Sequence, residues 1–327
     1  MLSRIALLLM LMTAVAAIAQ TPSIVRLDPR FDQLVPKDTK LEVVAEDIIW
    51  AEGPVWDKQG NFLIFSDAPR NSAFKWSAKE GKQLFLKPSG YTGTAEFTGR
   101  EPGSNGLTFD AQHNLIMCQH GDRRISRLEK NGKFTPLVSE YQGKRLNSPN
   151  DLTYKKNGDL YFTDPPYGLP KTFDDPGREL PFAGVYRLGK DGKLTLLTDE
   201  NKAPNGIAFS PDEKTLYVSD SAVKVWKAYP VQRDGTLGKG RVFYDASDWS
   251  KTHAGSPDGL KIDVHGNIWA AAPGGLFVFS PDGTLLGRFD LGTPTGNCAW
   301  GEDGSTLFIT SNHLLYRVRL NTKGAGW

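Results

Sequence analysis

The sequence predicts an all-β fold: a six-bladed β-propeller with four antiparallel strands per blade, closed by an N-terminal strand that completes the last blade. Three observations predict it, namely a sixfold internal repeat, hairpin chemistry inside each repeat, and a last repeat that is one strand short.

The repeat emerges when EGPVW, NGLTF, NDLTY, NGIAF, DGLKI and GNCAW are stacked. They begin at Glu52, Asn105, Asn150, Asn205, Asp258 and Gly296, roughly 38 to 55 residues apart, the length of a propeller blade. Each runs into a tight turn (DKQG, DAQH, KKNG, SPDE, DVHG, GEDG) and then a β-branched or aromatic strand such as FLIFSD or TLYVSD, which is hairpin chemistry. A second pair of strands follows in most repeats, as in VYRLGKDGKLTLLT at 185–198. The sixth repeat retains only residues 314–320 after its hairpin, and residues 41–45 are expected to supply its fourth strand. Joining the two ends of the chain in one blade leaves no open sheet edge.

No Pro/Ser-rich linker, charge block or shift of composition divides the 327 residues, so one propeller is expected over 40–322. A segment 20–39 precedes it and a tail 323–327 follows. Arg4, the apolar run 5–18 and the small-residue pattern Ala17-Ile18-Ala19 read as a signal peptide over 1–19. The cut is expected near Ala19/Gln20, with a periplasmic or secreted location and no membrane association in the mature form.

With 39 basic and 37 acidic residues the net charge is +2, which excludes a nucleic-acid or anionic-membrane footprint and favours a small-molecule partner. A monomer or weak dimer is expected. Cys118 and Cys298 fall in blades distant in sequence, which argues against a disulfide, and no CxxC pairing supports a zinc site.

Lettering the strands A to D outward from the axis, the start of A, the end of B, and the B–C and D–A loops share one face. That face carries the long segments 87–104, 139–149, 165–182 and 245–256, whereas the opposite face has only tight turns. Long irregular loops in a compact domain are usually binding loops, so this is the expected working face. The six residues that open the A strands converge there on the axis, and five of them carry a side-chain oxygen. Asn, Asp and Gly suit turns in their own right, but Glu is not a turn former. Two carboxylates meeting without a cation would repel each other, and carboxylate with amide oxygens is the donor set of a hard divalent cation.

Other residues are placed by the same topology. His120, Asp67, Asp164 and Asp220 end B strands and should reach the working face. His113 and His265 fall in far-face turns and are expected to be solvated, while His253 and His313 lie near the working face without a role. Tyr167 is a pocket wall or a core residue. Arg123 and Arg145 are either orienting groups for a sugar hydroxyl or carboxylate, or surface arginines.

The motifs AEGPVW, SPNDLTY, PNGIAFSPDEKTLYVSDS and SPDGLKID together resemble the senescence marker protein, gluconolactonase and luciferin-regenerating enzyme family, from about residue 40 to about 320. The resemblance implies a six-bladed propeller whose metal is held by Glu52, Asn150, Asn205 and Asp258. It implies metal-dependent hydrolysis of a sugar lactone, with Ca²⁺ first and Mg²⁺, Mn²⁺ or Zn²⁺ as alternatives. In that reading the cation polarises the lactone carbonyl and water attacks, Asp258 accepting its proton, with His120 as second candidate. His120 resembles the histidine of an H-G-x-R step in bacterial members. Asn105 and Asn150 would hold substrate, with Arg123 and Tyr167 beside them. The sequence has neither a G-x-S-x-G elbow nor an H-E-x-x-H helix. A phosphotriesterase resembling diisopropylfluorophosphatase would use the same four ligands, a strictosidine synthase-like enzyme would share only the fold, and a non-catalytic ligand- or protein-binding propeller is the remaining alternative.

Overall fold

Six antiparallel sheets, five of four strands and one of five, follow one another along the chain, and strand A of each packs against strand A of the next. The structure, a computed structural model, describes residues 21–327. The signal-peptide expectation falls on residues 1–19 and lies outside the described residues.

The A strands are Ala51–Asp57, Ser104–Phe109, Leu152–Tyr154, Pro204–Phe209, Leu260–Ile262 and Asn297–Gly301. In blade 6 the outermost strand is Glu42–Ala45, paired antiparallel with Leu314–Arg319. The ring closes through the N-terminal segment, as the short sixth repeat requires.

Among the described residues the buried apolar side chains fall into six clusters, one in each gap between neighbouring blades. Strand alternation explains this: each blade presents one face to the blade before it and the other to the blade after it. The seam between blades 6 and 1 is filled by Trp56 stacked on Phe308 at 5.5 Å, and that between blades 5 and 6 by Trp269 edge-on to Trp300 at 5.3 Å. Cys118 and Cys298 are buried free thiols in separate clusters.

The segment before residue 40 contributes more than the closing strand. Ser23–Arg26 adds a fifth, outer strand to blade 5 along Leu285–Asp290, and a single helical turn, Phe31–Leu34, docks on the same blade. Arg26 fixes that turn, donating Nη1 to Asp32 Oδ1 and Val35 O and Nη2 to Pro36 O. Phe31 is fully buried against Phe289, with ring centroids 6.1 Å apart. Truncating such a ring leaves a cavity that costs about 3–5 kcal/mol. Phe31→Ala is therefore expected to lower the unfolding free energy by about that amount in urea denaturation, and an unchanged midpoint would show that the N-terminal turn is dispensable.

Candidate metal and active site

In five of the six blades strand A begins with an irregularity that turns a side chain toward the axis. In blades 1, 2 and 4 the A–B register slips between Glu52 and Val55, Ser104 and Leu107, and Pro204 and Ile207. In blade 3 both Asn150 and Asp151 pair with Thr163, and in blade 5 both Asp258 and Gly259 pair with Ala271. These are β-bulges, a device that re-aims a side chain at the end of a ladder. Gly53 shows why the next residue is often glycine: its φ is +51°, and a Cβ there would stand 1.8 Å from Asn105 O.

A belt of hydrogen bonds between blades then locks the positions. Ser66 Oγ donates to Asn105 O at 2.8 Å, Thr163 Oγ1 to Asn205 O at 2.7 Å, and Ser219 Oγ to Asp258 O at 2.7 Å. The amides of Gly106 and Gly259 donate to Asn150 O and Gly296 O, each at 2.7 Å. Because the backbone carbonyls are held from the neighbouring blade, the side chains are left to face the channel.

Glu52, Asn105, Asn150 and Asn205 are each 2–5% exposed. Asp258 is half-buried, with Oδ1 inaccessible to solvent. Among the described residues, Oδ1 of Asn105 and Oδ1 of Asp258 have no hydrogen-bond partner. Burial pushes the Glu52 carboxyl up to about 8, against the Gly53 amide that donates to Oε2 at 2.9 Å. Burial also raises Asp258 well above the usual carboxylate range, with the charge of Glu52 adding to the effect. Gly296 supplies no donor, and its bare α-carbon makes room for Glu52, since a Cβ there would lie 2.5 Å from Oε1.

This donor set fits a hard divalent cation. Two neighbouring carboxylates that disfavour joint ionisation, beside the Asn105 amide oxygen left without a donor, are the arrangement a doubly charged ion satisfies. No three His, Cys, Asp or Glu side chains cluster as a metal site among the described residues. The donors are mixed, and Glu52, Asn150, Asn205 and Asp258 would hold the ion, with Asn105 beside them.

One layer below lie Gly53, Gly106, Asp151, Gly206, Gly259 and Asn297. The two side chains come from blades 3 and 6, opposite each other across the ring, and Asn297 Nδ2 donates to Asp151 Oδ2 at 3.3 Å. Lys261 donates Nζ to Asn297 Oδ1 at 3.1 Å and stands 3.9 Å from Asp151 Oδ2. Asn297 also hydrogen-bonds Glu52. This group plugs the channel and separates the working face from a far-face funnel of about 940 Å³, which Lys261 and the terminal residues Ala325, Gly326 and Trp327 help to line.

The remaining residues singled out from sequence divide. Tyr167 is placed where a pocket wall would stand, its hydroxyl bonded to Ser221 and the charge of Asp258 helping burial to raise its phenol above the usual range. Asp67, Asp164 and Asp220 do reach the working face, but each carboxylate accepts backbone N–H groups of the loop entering its own blade, at 49 and 50, 147 and 148, and 202 and 203. Arg123 does not face the site. It is 6% exposed and clamps loops, with Nε to Leu146 O and Asn147 O and Nη1 to Gly177 O at 2.9 Å. Arg145 is exposed and its Nη2 points at Asp122 O. His113 is not solvated: it stacks on Phe109 at 4.4 Å, with Nε2 2.8 Å from Asp57 Oδ1.

His120 is fully buried, with Nδ1 3.1 Å from Glu101 Oε2 but outside hydrogen-bond geometry, and Nε2 without a partner among the described residues. Glu101, Asp151, Lys224 and Lys261 were not anticipated. Lys224, whose Nζ donates to Ser256 Oγ, is pulled down by burial while the charge of Asp258 opposes the fall. The only sequence signal for Glu101 is its place in the long 87–104 segment.

Two outcomes follow from this electrostatics. Folded Glu52 holds its proton up to about pH 8 while its ordinary value is 4.5, so with chelator present the folded state binds more protons between these values and loses stability as pH rises through them. The melting temperature under chelation should fall across that window, and Glu52→Gln should remove part of the fall. Gly296→Ala should displace Glu52 and lower Ca²⁺ affinity about 10–100-fold in titration calorimetry.

Residues 50–313 match the SMP-30/Gluconolactonase/LRE-like region. A gluconolactonase of Zymomonas mobilis is 42% identical over 92% of this chain and 87% of its own length. A gluconolactonase structure from Xanthomonas campestris superposes with a TM-score of 0.79 at 33% identity, covering 92% of this chain and 95% of its own. The diisopropyl-fluorophosphatase of Loligo vulgaris is 26% identical over 86% of this chain and 92% of its own length.

Proposed function

This chain belongs to the SMP-30/gluconolactonase/LRE-like family, and we propose from that premise that it hydrolyses sugar lactones at the working-face end of its channel, with one divalent cation, Ca²⁺ first, bound there. The observation that carries the reading is the pair of unpartnered oxygens, Asn105 Oδ1 and Asp258 Oδ1, in a layer with the buried carboxylate of Glu52. A cation held by Glu52, Asn150, Asn205 and Asp258 would polarise the lactone carbonyl and favour negative charge on its oxygen.

The chain's own groups do the rest. Asn105, at the same level, offers an amide to a substrate hydroxyl or to the developing oxyanion. Tyr167 walls the pocket on the side of blades 3 and 4. The plug formed by Asp151, Asn297 and Lys261 closes the channel beneath, so substrate enters and product leaves on the working face. Arg123 is engaged elsewhere, its guanidinium donating to loop carbonyls. The signal-peptide composition read in residues 1–19 supports a periplasmic or secreted location.

A phosphotriesterase activity at the same donors is the second reading, favoured by the likeness to the squid diisopropyl-fluorophosphatase. A pH-stat panel of γ- and δ-aldonolactones beside a fluorophosphate ester separates the two. Hydrolysis of aldonolactones that is lost on chelation and restored by Ca²⁺ is the expected result. Asp258→Asn and Glu52→Gln should each lower kcat/KM by about 100-fold or more, as the loss of an oxyanion-stabilising group does. Lactone turnover that survives both chelation and Glu52→Gln would take the metal out of the reaction.

A further inference from the structure

The carboxylates of the working face can be sorted by what engages them. Asp67, Asp164 and Asp220 accept backbone amides. Asp151 is held by the Leu152 amide, Asn297 and Lys261. Glu52 and Asp258 belong to the donor set, where a bound cation takes up the lone pairs a base would need. Glu101 differs from all of these: among the described residues its carboxylate meets only His120, and its side chain is 27% exposed while that of His120 is fully enclosed.

Glu101 is nevertheless held in place. Its loop is tied down by Gly103 N to Ala68 O at 2.9 Å, His120 N to Gly103 O at 3.1 Å, Gly121 N to Pro102 O at 3.3 Å and Ser104 N to Ser89 Oγ at 3.0 Å. Four residues later the same chain delivers Asn105 to the axis. The negative charge of Glu101 helps burial to raise Glu52, Asp258 and Tyr167, which puts its carboxylate within electrostatic range of the donor set. His120, at the end of strand B in blade 2, completes the groups around it. The histidine is shut away from solvent by the 165–182 loop, where a Cβ on Gly168 would stand 2.6 Å from the Cβ of His120.

We infer that Glu101 is the proton-transferring group of the hydrolysis and that His120 is its buried positioning residue, an assignment that rests on the lactonase reading above. As the water oxygen forms its bond to the carbonyl carbon, one of its protons moves to a Glu101 carboxylate oxygen. The tetrahedral adduct collapses with cleavage of the ring C–O bond, and the ring oxygen takes that proton back from Glu101. The carboxylate is regenerated, and the hydroxy acid leaves after losing its own carboxyl proton to solvent. The enclosed ring of His120, with Nδ1 3.1 Å from Oε2, limits where the Glu101 carboxylate can turn.

The test compares wild type, Glu101→Gln, Glu101→Asp and His120→Asn at saturating Ca²⁺, with aldonolactone turnover across pH and Ca²⁺ affinity by calorimetry. Loss of a positioned acid–base group removes about 10²–10⁴ of rate. Glu101→Gln should lose at least about 100-fold in kcat with KM and Ca²⁺ affinity within about twofold of wild type, and the acidic limb of its pH profile should vanish. Glu101→Asp, which keeps the carboxylate, should lose less, and His120→Asn should move the limb without abolishing it. Glu101→Gln with kcat within threefold of wild type, or losing Ca²⁺ affinity in step with activity, would overturn the assignment. A wild type that opens no lactone would sink the lactonase reading and this role with it, whereas an active wild type matched by an active Glu101→Gln would sink the role alone.

Discussion

The structure depends on a belt of hydrogen bonds that ties the carbonyl of one site residue to the blade before it. Ser66, Thr163 and Ser219 hydroxyls and the Gly106 and Gly259 amides hold Asn105, Asn205, Asp258, Asn150 and Gly296 respectively. Each bond alone contributes about 0.5–1.5 kcal/mol net. Their common effect is geometric: the strands cannot spread, so residues more than 200 positions apart, such as Glu52 and Asp258, stay in one buried layer. Like charges forced together out of water are unfavourable for the fold by themselves, and such a layer is retained where something else uses it.

The channel is organised in levels. Asp151 has a protein counter-charge, Lys261, which reaches it from the far face, and Asn297 links that pair to Glu52. Above it, Glu52 and Asp258 have amides as neighbours and would be balanced by a doubly charged ion. In the 87–104 loop of the same face stands Glu101, with His120 beside it. Position thus separates three tasks assigned to acidic side chains: holding the plug, holding a cation and moving a proton. The far-face funnel, although roomy, is cut off from the upper levels by the plug.

Much of this was legible from sequence where a pattern repeats. The six A-strand motifs, the turn chemistry and the missing strand of the last blade follow from periodicity, and the structure has all three. What does not repeat was hidden. Ser23–Arg26 and the Phe31 turn lie in a stretch with no counterpart in any other blade, so nothing marked them as a fifth strand and its anchor. Asp151 was masked by its neighbour Asn150, since a one-residue step around a bulge decides which of the two reaches which level. Glu101 sits in an irregular loop whose path no local rule supplies. Arg123 was misread for a related reason: a charge in a working-face loop says nothing of its partners, and here these are backbone carbonyls.

The central claim is that four oxygen donors from blades 1, 3, 4 and 5 share one cation. Its most direct test is diffraction from crystals grown with calcium, recorded at a long wavelength for anomalous signal. One peak about 2.3–2.6 Å from carboxylate oxygens of Glu52 and Asp258 and amide oxygens of Asn150 and Asn205 is the predicted result. A map without a peak there, or with these side chains turned away from one another around solvent, would contradict it.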